Sequence, residues 1–209
     1  MKTSLLRTGP GLVVVAPGGV SPTADPGLAE LLQLQQLAPV ADTAVDPAEL
    51  MSGLQAQPAG WLLPLALDPG AWLGPSQCWA EVLGAWRQPT LLLVPAAAAG
   101  AGPERACAAL LQAHGVPLLG LVQAGAPWLP QQRRCDGLPW LGWLPQAGPD
   151  GGLEGAPEAA VEARLALRRH CAIRWQQLSS ASPGSVLPDP AAGCDSAPAG
   201  SAAERPPAG

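Results

Sequence analysis

The sequence predicts one α/β domain over residues 8–178, a mostly parallel sheet flanked by helices in a three-layer sandwich, and a disordered tail over residues 179–209. Three observations predict it. Short apolar runs are bounded by Gly or Pro and lack the in/out alternation of a half-exposed strand, which suits strands covered on both faces. Helix-like segments lie between these runs, as in βαβ units with right-handed crossovers. Of 209 residues, 48% are apolar and 13% charged, which is enough for a sizeable core and too hydrophobic for a disordered chain.

The elements follow in order. Residues 12–16 (LVVVA) form the first strand. A helix over 26–37 has Leu28, Leu31, Leu32 and Gln35 at helical spacing, with Asp25 as N-cap and Pro26 at its first position. Asp46 and Pro47 open a helix over 47–54 in the same way. Residues 61–67 (WLLPLAL) form a strand in which Pro64 removes a ladder donor, so an edge position or a bulge is expected. A helix over 75–86 puts Trp79, Val82, Leu83 and Trp86 on one face. Strand 90–95, helix 102–113 and strand 117–122 make the clearest βαβ unit; Ala106, Leu110 and Ala113 are that helix's apolar face, and Gly115 stands at C′. Residues 138–144 (LPWLGWL) form the last strand. A long helix over 157–178 carries an apolar stripe of Val161, Leu165, Ala172 and Trp175, with Glu158, Glu162, Arg164, Arg168 and Arg169 on the remainder. Its acids come early and its bases late, as the helix dipole favours. From Ser179 onward Ser, Pro, Ala and Gly dominate, and such a segment cannot bury a core.

Composition excludes several classes of function. Phe, Tyr and Asn are absent, Lys occurs once (Lys2) and Ile once (Ile173), while Gly reaches 25, Pro 26 and Trp 8. This is the bias of a GC-rich gene, and Trp takes over the aromatic packing. A reading frame without selected function would share the bias and stands as one alternative. The net charge is −5, and no Lys or Arg lies between Arg7 and Arg87, a stretch holding Asp25, Glu30, Asp42, Asp46, Glu49, Asp68 and Glu81. Phosphate backbones and anionic membrane surfaces are bound by clustered Lys and Arg, so neither nucleic acid nor a membrane is expected as partner. The apolar run at 12–16 is shorter than the ~7–15 residues of a secretory signal core, and no stretch has the ~18 uninterrupted apolar residues of a spanning helix. The cysteines at 78, 107, 135, 171 and 194 form no C-x-x-C pair and are odd in number, which suggests neither a metal site nor a disulfide framework. Scattered free thiols suit a cytoplasmic protein.

The loop after the first strand reads Val15-Ala16-Pro17-Gly18-Gly19-Val20-Ser21-Pro22-Thr23. Strand, Gly-rich loop and helix N-terminus, in that order, is the setting in which backbone N–H groups hold phosphates. The candidate nucleotide-binding residues are therefore Gly18, Gly19, Ser21 and Thr23. A working phosphate loop reads G-x-x-x-x-G-K-[ST], its Lys reaching the terminal phosphates and its Ser/Thr holding Mg2+. Here Pro22 stands where the Lys belongs and lacks an N–H. Taken alone, the segment reads as a Gly/Pro turn.

In mid-chain, Ala59-Gly60-Trp61-Leu62-Leu63-Pro64-Leu65 is followed by a helix ending Ala85-Trp86-Arg87-Gln88-Pro89 and by the run from Thr90 to Val94. Later come Gly115-Val116-Pro117-Leu118-Leu119-Gly120-Leu121-Val122 and Leu141-Gly142-Trp143-Leu144-Pro145. This succession, over residues 60–145, resembles the dethiobiotin synthetase family in the order and spacing of its parts. The resemblance implies a P-loop NTPase-type fold. If function accompanies it, it implies an ATP- and Mg2+-dependent cyclo-ligase of biotin biosynthesis, closing a ring on a diamine with CO2 as carbon source. The family's phosphate loop ends Gly-Val-Gly-Lys-Thr; this chain keeps Gly19, Val20 and Thr23 and replaces the Gly and Lys by Ser21 and Pro22. The family's acidic residue falls near Ala56 and its base-reading Asn at Ala124, and the segment bearing its substrate-binding lysines is shortened and has none. The implied scaffold has thus lost its chemistry-bearing residues: no catalytic residue is assigned, and no cofactor is expected unless ATP and Mg2+ still sit over Gly18 to Thr23.

The alternative is a protein-interaction module on this scaffold, acting as a homodimer or with another protein through residues 128–143 or the C-terminal helix. Other candidates have structural readings. His114 is expected to sit against the last carbonyls of its helix. His170 and Cys171 are adjacent on a helix and point to different faces. Asp25 and Asp68 are expected in N-cap and turn roles, and the Trp-rich 128–143 segment in core packing.

Overall fold

The computed structural model describes residues 11–19, 26–57, 60–73, 77–100, 102–128, 130–145 and 158–180. In chain order these form β1 (Leu12–Val15), a 3-10 turn (Pro17–Gly19), α1 (Pro26–Leu32), β2 (Gln35–Gln36), α2 (Pro47–Gln55), β3 (Trp61–Pro64), β4 (Trp72–Leu73), β5 (Gln77–Cys78), α3 (Trp79–Ala85), β6 (Thr90–Pro95), α4 (Pro103–Ala113), β7 (Leu118–Gly125), α5 (Pro130–Arg134), β8 (Trp140–Pro145) and α6 (Glu158–Ser180). One six-stranded sheet has the order β2-β3-β1-β6-β7-β8, every pairing parallel. β4 and β5 form a separate antiparallel ribbon.

Alternation along the strands divides the core. Val13, Val15, Leu63, Leu92, Val94 and Leu121 face one layer, which α2, α3 and α4 cover with Met51, Leu54, Trp79, Leu83 and Leu111. Leu12, Val14, Leu62, Leu91, Leu93 and Val122 face the other, which α1 and α6 cover with Leu28, Leu32, Leu167, Cys171 and Trp175. This is the α/β sandwich that the two-sided apolar runs predict. Trp61, Trp79 and Trp175 are buried and do the aromatic packing of a chain without Phe or Tyr. Among the described residues no helix is long and apolar enough to cross a membrane.

Several local expectations are corrected. α1 ends at Leu32, where Gln33 turns to φ 58, and Gln35 joins β2. β3 is interior, and the recorded register shifts fall at Thr90/Leu91 and Leu121/Val122 instead of at Pro64. Pro64 is tolerated because it closes the strand: its carbonyl accepts from Val40 N–H (3.0 Å) on the side where β2 has already ended. α4 buries Glu104, Cys107, Ala108 and Leu111, while Ala106 and Ala113 are exposed. Ala-rich helices have little contrast between faces, so docking on the sheet selects the buried one. α6 buries Ala160, Arg164, Leu167, Cys171 and Trp175, and it leaves Val161 and Leu165 outside. It also runs through Ser179 and Ser180, two residues beyond the expected domain end; the remainder of the tail lies outside the described residues.

α3 and α4 meet at Gly84. A Cβ there would run into the carbonyl oxygen of His114, which is backbone and cannot swing aside. Gly84→Ala is expected to lower unfolding stability by about 1–3 kcal/mol, the usual cost of overpacking. Urea midpoints check this, and an unchanged midpoint would show that the two helices are not in contact.

Candidate functional site

β1 lies between β3 and β6, and the chain leaves it outward in both directions. The carboxyl end of β1 is thus the topological switch point, where open parallel sheets bind ligands. The Gly-rich loop starts there. Gly18 adopts φ 71, ψ 19, a left-handed conformation that Gly takes without strain, and it is exposed. Gly19 closes the 3-10 turn, and the turn packs against β6 and α4. Ser21 and Thr23 lie outside the described residues, as does the expected N-cap Asp25. Of the four predicted site residues, the structure therefore places Gly18 and Gly19 at the switch point.

The rest of this sheet edge is built from the ends of β6, β7 and β8. Glu104, buried in the first turn of α4, accepts N–H bonds from Gly100 (2.8 Å) and Gly102 (3.1 Å), which folds the loop after β6 onto itself. Gln123 donates to the Ala126 carbonyl (2.9 Å), and its Oε1 accepts from Arg133 Nε (3.2 Å) and Nη2 (2.9 Å). The Arg133 guanidinium also lies 5.0 Å from the centroid of the Trp140 ring. Trp140 packs on Trp128 (6.2 Å between centroids) and donates through Nε1 to Asp136 Oδ2 (2.8 Å). Arg105 Nη2 donates to the Asp136 carbonyl (3.2 Å). Together Gly100, Glu104, Arg105, Arg133, Cys135 and Asp136 border a cavity of about 590 Å3. Among the described residues, two guanidiniums and two carboxylates line it. Ala124 of β7 pairs with Pro95 of β6 and Leu144 of β8.

One cation arrives from a distant part of the chain. Arg164 of α6, 7% exposed, donates through Nη2 to the Gly27 carbonyl in the first turn of α1 (3.2 Å). The same nitrogen lies 3.8 Å from Glu30, an exposed carboxylate. Local sequence shows no cation near the Gly-rich turn, yet the fold brings an arginine to the helix that follows it. Its position in the buried a/d-like row 160, 164, 167, 171, 175 was the available signal, masked by reading Arg as a surface residue.

The remaining candidates are placed as follows. Asp68 Oδ1 caps the Gly70 N–H (2.8 Å), the turn role expected of it. His170 Nδ1 lies 2.6 Å from the Leu141 carbonyl, while Cys171 points into the core, so the two do not pair. Trp128, Trp140 and Trp143 are half-buried. His114 closes α4, where the fold sets it beside Cys78 and Glu81. No protein-family model and no curated protein matches the sequence.

Two predictions follow from burial. Arg164→Ala removes a charged donor and its packing between α6 and α1, so a loss of about 1–3 kcal/mol is expected. Glu30→Gln, at an exposed ion pair, is expected to stay within about 0.5 kcal/mol. Denaturant midpoints of both variants check the contrast, which fails if the two shifts are equal.

Burial pushes the Cys171 thiol up to about 12, and burial with the nearby Asp68 charge pushes Cys107 up to about 12. Both folded values exceed the ordinary 9.0, so this stabilisation is complete below pH 9.0 and is lost as pH rises towards about 12. Cys171→Ala is expected to flatten the alkaline fall of the urea midpoint. At pH 8, exposed Cys135 is expected to react with a disulfide reagent while Cys107 and Cys171 react only on unfolding. Peptide mapping of the labelled sites distinguishes these.

Proposed function

We propose that the chain is a dethiobiotin synthetase-like scaffold of the P-loop type that no longer carries out nucleotide chemistry. The observation that carries this reading is a Gly-rich turn at the switch point of a parallel sheet, followed by Pro22 where the phosphate-binding Lys belongs. A triphosphate needs several cations or a bound metal around it. The guanidiniums of Arg105, Arg133 and Arg164 are engaged with Asp136, Gln123 and Gly27. Ring closure on a diamine at the expense of ATP would also need the lysines that this chain lacks between Arg7 and Arg87.

A second reading, a protein-interaction module, is favoured by one feature. Val161, Leu165 and Ile173 on α6 are 40%, 53% and 51% exposed, on a helix whose other side is already docked.

Calorimetric titration of the full chain with ATP and Mg2+ tests the first reading, with circular dichroism establishing a cooperative fold. No heat of binding is expected. Micromolar binding that disappears in Arg164→Ala would overturn the proposal and make Arg164 a phosphate ligand. One stoichiometric protein partner recovered by the wild type and lost in Leu165→Asp would move the reading to the interaction module.

A further inference from the structure

Where α3 meets α4, the fold brings His114 to Cys78 and Glu81, two metal-ligating residues one helical turn apart. Cys78 Sγ, a carboxylate oxygen of Glu81 and a ring nitrogen of His114 all lie within 4.8 Å of one another. Cys78 is buried, and Glu81 and His114 are half-buried. We propose that these three residues bind one zinc ion, with the fourth coordination position open to water.

The backbone around the cluster is held from several directions. Cys78 ends the β4/β5 ribbon, paired with Trp72, and the next helical turn is tied down by Ala80 N–H donating to the Pro69 carbonyl (2.8 Å). Glu81 Oε2 accepts the Cys78 N–H (3.1 Å), which orients the carboxylate and leaves its other oxygen for a ligand. His114 stands at the C-cap of α4, its own N–H donating to the Leu110 carbonyl (3.2 Å). The missing side chain of Gly84 lets α3 approach the backbone of His114, and Cys78 at the N-cap of α3 and Glu81 in its first turn lie near the imidazole. A tetrahedral zinc with its ordinary bond lengths separates its ligand atoms by about 3.3–3.6 Å. The ligand atoms therefore need to close by up to about 1.5 Å from the 4.8 Å limit, a side-chain adjustment on the same backbone.

The donor set selects the metal. A thiolate disfavours Mg2+ and Ca2+, and one thiolate with one imidazole and one carboxylate suits zinc. Binding converts the Cys78 thiol to a thiolate, and its proton leaves to solvent. A thiolate, a carboxylate and a neutral imidazole then balance the two positive charges of the ion. The nearest guanidinium in the sequence, Arg87, donates to the Gly115 carbonyl (3.4 Å). The site is separate from the Gly-rich turn: His114 precedes β7, whereas the turn follows β1, so the two occupy opposite ends of a parallel sheet.

Cobalt titration of the full chain tests the proposal, in a background with Cys135→Ser and Cys194→Ser to remove adventitious thiols. Binding of one Co2+ per chain is expected, with the visible bands of a four-coordinate ion and a near-ultraviolet thiolate charge-transfer band, both removed by competing Zn2+. Cys78→Ser abolishes the charge-transfer band. His114→Gln and Glu81→Gln each weaken binding more than about tenfold, at least as much as loss of an outer-shell partner. Glu81→Gln keeps an acceptor for the Cys78 N–H, so this variant remains informative if Cys78→Ser misfolds. His170→Gln leaves binding unchanged. A parent without the thiolate band, or with unchanged affinity in His114→Gln and Glu81→Gln, would overturn the site.

Discussion

A parallel strand buried on both sides cannot tolerate water on either face, and that requirement organises this molecule. The strands β1, β3 and β6 alternate between two apolar layers, so helices must lie on both sides of the sheet. α2, α3 and α4 supply one cover, and α1 and α6 the other. α6 is the last element described, and it closes the face over β7 and β8 after the whole sheet has been laid down in the chain. Such long-range closure makes Leu167, Cys171 and Trp175 structural partners of Leu12 and Val14.

The same arrangement concentrates loops at the carboxyl ends of the strands, where open sheets place their chemistry. At this edge polar side chains are used to hold the loops themselves. Glu104 caps two N–H groups of its own loop, Gln123 joins the loop after β7 to Arg133, and Asp136 anchors Trp140. Each donor or acceptor engaged in this way is less available to an incoming anion, because leaving a buried polar group unpaired costs more than a new contact returns. Among the described residues of this edge, Arg105 and Arg133 stand with Glu104 and Asp136 around one cavity.

The other helical layer has a different economy of space. α3 is short, and it is positioned by the ribbon before it and by close backbone approach to α4 at Gly84. Close approach brings the ends of two helices within side-chain reach. There the imidazole of His114, remote in the chain, meets the thiol of Cys78 and the carboxylate of Glu81, which lie one helical turn apart.

The chain by itself determined the class of fold, because two-sided burial writes itself as unbroken apolar runs between Gly and Pro. Residues 90–95 are the clearest case: the run and the strand coincide, and the helix and strand after it complete the βαβ unit. It also determined that a Gly-rich turn follows the first strand and that no lysine stands behind it. Tertiary structure decided which face of each helix is buried. On α4 and α6 the sequence has apolar residues on more than one face, and contact with the sheet chose Cys107 and Leu111 over Ala106, and Arg164 and Leu167 over Val161 and Leu165. It also decided that Pro64 sits inside the sheet, that Arg164 reaches α1, and that His114 meets Cys78 and Glu81. These are contacts between residues remote in sequence, and local periodicity carries no record of them because it is set by each element's own geometry and not by its neighbour.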